Sequence, residues 1–179
     1  STVLSGSFFM SIYVFDGELE IHDDLEYLDI TTIPTNLSNT NINTFYLQHC
    51  DEVSSISGTT FPNTFRTLYI YSCDLLSDNI NDYSFNTGIT QMQFSYCPLL
   101  NGYINDYIIP QNMTNLQFQN CLGISGYTSG ITFNNNISYL NLSTTSVNGG
   151  ISNWVVCPSL RTLYLQSTQM YIDFDDGPF

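Results

Sequence analysis

Phe65-Arg66-Thr67-Leu68-Tyr69-Ile70-Tyr71-Ser72-Cys73 aligns without a gap on Ile89-Thr90-Gln91-Met92-Gln93-Phe94-Ser95-Tyr96-Cys97 and on Met113-Thr114-Asn115-Leu116-Gln117-Phe118-Gln119-Asn120-Cys121. Segments 42–50, 137–145 and 160–168 repeat the pattern, the last two ending in Thr145 and Thr168, and Leu19-Glu20-Ile21 is a weaker copy. The shared form is a large apolar residue at the first, fourth and sixth places and Cys or Thr at the ninth. The central apolar residues fall at 19, 45, 68, 92, 116, 140 and 163, in steps of 26, 23, 24, 24, 24 and 23. A period this regular is the signature of a repeat architecture.

Within each period the apolar-x-apolar triplet alternates as a strand does, inward and outward. A second slot follows about eight residues on: Leu76-Ser77-Asp78-Asn79-Ile80, Leu100-Asn101-Gly102-Tyr103-Ile104, Ile124-Ser125-Gly126-Tyr127-Thr128 and Val147-Asn148-Gly149-Gly150-Ile151. Its small residue lets the chain turn where a side chain would strike the neighbouring coil. A third apolar patch is Phe61, Phe85, Ile108 or Ile109, Phe133, and Val155 or Val156. One such coil cannot bury its apolar side alone, whereas stacked coils share a continuous core. The expectation is a β-dominated solenoid of about seven coils over a single domain, 1–179. Residues 1–15 form a partial coil, cap or assembly strand, 16–168 the repeats, and 169–179 a partial C-terminal coil.

Composition narrows the function classes. The net charge is −14, with two Arg and no Lys, so nothing could neutralise a row of phosphates, and nucleic acid is excluded as a partner. No apolar run approaches the ~20 residues of a membrane span, so no membrane insertion is expected. The 42% hydrophobic and 15% aromatic content argues for a packed chain.

The strand pattern resembles that of leucine-rich-repeat proteins, whose signature is L-x-x-L-x-L-x-x-N/C-x-L. The following L-S/N-G-x-I resembles the 24-residue plant-type subclass. The resemblance covers roughly residues 16–174. It implies a right-handed superhelix with a parallel sheet on its concave face, and a partner bound on that face. The chain departs from the family in placing Cys50, Cys73, Cys97 and Cys121 at the Asn-ladder position and in lacking the Pro that often follows G-x-I.

On the outward strand positions the candidate binding face is Tyr46, Gln48, Tyr69, Tyr71, Gln93, Gln117, Gln119 and Tyr164. It is uncharged, and its Tyr and amide side chains suit a protein or glycan. The four in-phase cysteines read as a buried thiol column, with a disulfide between adjacent rungs as the alternative. Four N-x-S/T sequons, at Asn36, Asn112, Asn136 and Asn141, are candidate glycosylation sites and favour an extracellular or cell-surface location. Asp23, Asp24, Asp173, Asp175 and Asp176 gather near the ends and could supply calcium ligands; no other cofactor is expected. No nucleophile motif or carboxylate pair is recognisable, so no enzymatic activity is expected.

The chain opens at Ser1 with no leader pattern and enters in mid-coil, which suggests a removed leader or an excerpt of a longer array. Both termini are apolar, at Leu4, Phe8, Phe9 and Ile12 and at Met170, Ile172 and Phe174. Bare solenoid ends are templates for association. The leading functional expectation is therefore a structural or adhesive protein that joins end to end with itself in a filament or array. The alternatives are a monomeric recognition module using the strand face, and, for residues 1–15, a private cap with a hairpin turning at Asp16-Gly17.

Overall fold

The structure is a computed structural model that describes residues 11–15, 18–22, 31–151 and 157–171. The chain winds as a β-solenoid of about six turns. In chain order the strands are β1 (Ser11–Phe15), β2 (Glu18–His22), β3 (Thr44–Gln48), β4 (Thr67–Tyr71), β5 (Gln91–Ser95), β6 (Asn101–Tyr103), β7 (Asn115–Gln119), β8 (Gly123–Tyr127), β9 (Tyr139–Asn141), β10 (Ser146–Gly150), β11 (Thr162–Tyr164) and β12 (Gln169–Tyr171). The main sheet runs β1-β2-β3-β4-β5-β7-β9-β11 and the second runs β12-β10-β8-β6. Only two single-turn 3-10 segments, Ile80–Asp82 and Thr128–Gly130, are helical among the described residues. The expected count of seven coils corresponds to seven parallel strands, β2 to β11 of the main sheet, which enclose six turns.

The repeat alignment is the strand register. Leu68 pairs with Met92, Met92 with Leu116 and Leu116 with Leu140. These four, with Phe45, form one buried column, and Leu47, Ile70, Phe94, Phe118 and Leu142 form the next. Val53, Leu76, Leu100, Ile124 and Val147 bury the second slot. Each fully buried side chain of this kind contributes about 1.5–3 kcal/mol, which no isolated coil could gather. Of the third patch, Phe61, Phe85 and Phe133 lean on the core and Ile109 is buried, while Ile108 is 88% exposed. Val155 and Val156 lie outside the described residues. Phe61 stacks on Phe65 at 4.1 Å and Phe94 on Phe118 at 5.9 Å, so aromatic rings continue from coil to coil.

Two columns of backbone set the corner after each main strand. His49, Ser72, Tyr96, Asn120, Thr144 and Ser167 all have positive φ, between 51° and 58°. None is glycine, so each carries left-handed strain of about 1–2 kcal/mol. The N–H groups of the first five donate to carbonyls one coil further on, such as Tyr96 N–H to Gln119 O at 2.9 Å. The next residue is the ladder position. Cys50, Cys73, Cys97 and Cys121 are fully buried free thiols that donate to the carbonyl two residues before, at 3.2–3.6 Å. Thr145 and Thr168 instead donate to Leu142 O and Leu165 O, both at 2.7 Å. The thiol-column reading of the cysteines is the one observed, and no disulfide joins the rungs. Hydrogen bonding to Cys97, then burial, pushes the Cys73 and Cys121 thiols up.

The second sheet begins at β6, the first copy of the second slot to carry glycine. Gly102, Gly126 and Gly149 have φ of +130°, +107° and +101°, and a Cβ on each would lie 2.2–2.8 Å from the coil before. One coil earlier the slot holds Asp78. Its carboxylate accepts from the Ile56 N–H at 2.7 Å, the Ser57 N–H at 3.0 Å, the Tyr83 hydroxyl at 2.8 Å and the Ser55 hydroxyl. A buried side chain does there what a strand ladder does in the later coils.

At the N-terminal side the parallel strands do not end on β2. β1 pairs antiparallel with β2, Phe15 opposite Glu18; Asp16 and Gly17, where the private-cap alternative places its turn, lie outside the described residues. Of the proposed assembly residues, Ile12 lies in β1, and Met170, in β12, packs against the core rather than standing open. Leu4, Phe8, Phe9, Ile172 and Phe174 lie outside the described residues.

Candidate recognition face

The outward side of the main sheet carries two aromatic clusters joined by a strip of amides. At β3 and β4, Tyr46 and Tyr69 face each other at 5.4 Å. Tyr71 stands edge-on between His49 at 5.3 Å and Tyr96 at 5.4 Å. His49 and Tyr96 reach this cluster from the left-handed corner, a position the alternation of a strand does not count as part of its face. Gln48 is half-buried beside them.

Gln93 and Gln117 form the strip. Gln93 donates to Ser95 Oγ at 3.1 Å and Gln117 to Asn115 Oδ1 at 2.9 Å. Gln117 is only 8% exposed and its amide is engaged by Asn115 on its own strand, so of the expected face residues it offers little surface.

Across β7, β9 and β11 the face dips into a shallow groove of about 430 Å³ lined by Gln119, Tyr139, Asn141, Ser143, Thr144, Tyr164 and Gln166. Tyr139 and Tyr164 lie 5.7 Å apart. Burial, then the neighbouring Tyr164 phenol to which it hydrogen-bonds, raises the pKa of Tyr139. Tyr139 was missed by a reading that counted only the positions after the central apolar residue. The signal was present, because the residue before that centre is also outward on a two-residue period.

Asn141 is 5% exposed, and its Oδ1 accepts from Ser143 N–H at 3.0 Å and Ser143 Oγ at 2.6 Å. Of the four sequon asparagines it is the buried one, reached only from the groove. Asn36, Asn112 and Asn136 are exposed. Asn112 and Asn136 sit one period apart, their Nδ2 atoms donating to Thr87 O at 2.7 Å and Gln111 O at 2.9 Å.

Asp23, Asp24, Asp173, Asp175 and Asp176 lie outside the described residues, and among the described residues no group of three His, Cys, Asp or Glu is placed to hold a metal. No helix there is long and apolar enough to cross a membrane. Compared with known proteins, the chain matches no family model, no curated protein and no solved structure.

Proposed function

We propose that this protein is a non-catalytic recognition module of leucine-rich-repeat type, acting outside the cell or at its surface, which binds its partner on the outward side of the main sheet. The observation that carries the reading is the face itself. It gathers partly exposed Tyr46, Tyr69, Tyr71, Tyr96 and Tyr164 on one sheet whose inner strands are paired on both sides. Rigid aromatic rings give large contact area at low entropy cost, and amides adapt their hydrogen bonds to a partner. None of the groove residues is a carboxylate or belongs to a nucleophile–base pair, which supports binding rather than catalysis. The exposed sequons at Asn36, Asn112 and Asn136 support the extracellular setting.

End-to-end self-association ranks second. A parallel head-to-tail stack needs an open edge on β2, and β1 occupies that edge as an antiparallel strand. The expected outcome in sedimentation is a monomer at high concentration. The test of the leading reading is a screen of the purified chain against immobilised peptides and glycans, repeated with a Tyr69→Ala/Tyr71→Ala/Tyr164→Ala variant of unchanged melting temperature. Loss of the captured ligands supports a strand-face site. Ligands held equally well by the variant, or concentration-dependent filaments without ligand capture, would overturn it.

A further inference from the structure

We propose that the groove across β7, β9 and β11 binds a neutral oligosaccharide. This rests on the strand-face reading and narrows it to a ligand class and a place.

The groove has the donor and acceptor pattern of a site missing its ligand. Asn141 is almost wholly buried, and the orientation of its amide is fixed: a backbone N–H, from Ser143, can only be met by Oδ1. Its Nδ2 therefore carries the donors, and no acceptor for them exists among the described residues. A buried amide donor left unmet costs about 1–3 kcal/mol, so a ligand acceptor would relieve a standing penalty. Gln119 and Gln166 also line the groove and make no side-chain hydrogen bond among the described residues. Sugar hydroxyls both donate and accept, as these amides require. Beside them, Tyr139 and Tyr164 present ring surface on which the apolar face of a pyranose can rest.

The alternatives fit less well. No cation lines the groove, and the chain carries −14, so an anionic ligand gains no attraction and meets a repulsive field. No carboxylate lines it, so a cation has no ligand set. A peptide lying in the groove would have to be read through side chains alone, because β7 and β9 are paired on both sides, and the edge of β11 that is open among the described residues faces away from β9 rather than into the groove. The groove is also polar and shallow, without the desolvated pocket that a peptide anchor residue fills.

The test titrates the full chain with neutral oligosaccharides of glucose, N-acetylglucosamine, mannose and galactose, read by saturation-transfer NMR and tyrosine fluorescence, with acidic oligosaccharides and a peptide library in parallel. At least one neutral oligosaccharide is expected to bind at millimolar concentration or below. Tyr164→Ala should weaken it about tenfold, the size expected for removing one stacked ring. Tyr164→Phe keeps the ring and should retain most of the affinity, and Tyr103→Ala, an exposed tyrosine on the second sheet, should leave it unchanged. The inference falls if no neutral oligosaccharide binds, if Tyr164→Ala leaves binding intact in a folded variant, or if acidic oligosaccharides bind as tightly. Peptide ligands that Tyr69→Ala/Tyr71→Ala abolishes, with no sugar bound, would sink this inference and leave the strand-face reading standing.

Discussion

Replacing Gly126 with Ala asks how much of the solenoid rests on the glycine column of the second slot. Gly126 has φ +107°, and the added Cβ would lie 2.2 Å from Asn105 Oδ1. That oxygen accepts the Tyr127 N–H at 3.1 Å. The backbone strain costs about 1–2 kcal/mol. Displacing Asn105 forfeits a hydrogen bond worth about 0.5–1.5 kcal/mol. The lower chain entropy of unfolded alanine returns about 0.5–1 kcal/mol. The expected net loss is about 0.5–3 kcal/mol, centred near 2. Gly58→Ala is the matched control. Its φ is +81° and nothing lies within 4 Å of the added carbon, so only strain less chain entropy remains, about 0–1.5 kcal/mol and about 1 kcal/mol less than in Gly126→Ala. Urea unfolding followed by two probes measures both, with coincident transitions as the check that a single free energy is meaningful. Amide exchange at Tyr127 should also accelerate in Gly126→Ala alone. Equal destabilisation by the two variants, with Tyr127 unchanged, would refute the claim that the coil-to-coil contact sets the need for glycine.

Asp78→Asn sets an amide NH₂ against four donors and should destabilise by about 2–3 kcal/mol in the same urea assay; a loss below about 0.5 kcal/mol would show that the cluster is dispensable. Burial, then the neighbouring Asp78 carboxylate, holds the Tyr83 pKa well above its usual value, and burial raises that of Tyr107. The folded chain thus binds these protons more tightly than the unfolded one. Their contribution is complete below the ordinary tyrosine pKa of about 10 and is lost as pH rises through the folded-state values. Stability should fall above about pH 10, and a Tyr83→Phe/Tyr107→Phe variant should show a shallower fall in alkaline melting curves. The four ladder thiols should resist a disulfide exchange reagent in the native protein, and all five cysteines should react once it is unfolded, as counted by mass spectrometry; rapid native reaction at Cys97 would contradict its burial.

The solenoid was legible because its cause is local and repeated. Leu68, Met92, Leu116 and Leu140 recur at one spacing, and a recurring apolar position can be satisfied only by its own copy in the next coil. Glycine at 102, 126 and 149 was legible for the same reason. Features that occur once, or that depend on backbone conformation, were not. The left-handed column holds His, Ser, Tyr, Asn and Thr, so no residue type announces it, and His49 and Tyr96 were therefore not seen to join the aromatic face. The role of Asp78 was hidden, because three of its four donors come from the coil before. Asn141 reads as a sequon and an outward position, yet Ser143 two residues later turns its oxygen inward along the sheet. The strand face could be named from the alternation, but which of its amides are already engaged is decided by hydrogen bonds to residues two places along the chain.

The absence of a second ladder before β6 makes the joints of this array unequal. Between the β3 and β4 coils the far wall is held by a single main-chain bond, Ser77 N–H to Ser54 O, and by the hydrogen bonds of the Asp78 side chain, whereas the joints from β6 onward carry a strand ladder on both walls. Tension applied along the long axis would therefore concentrate at one acidic seam, and the molecule would yield there as a hinge before any later joint parted.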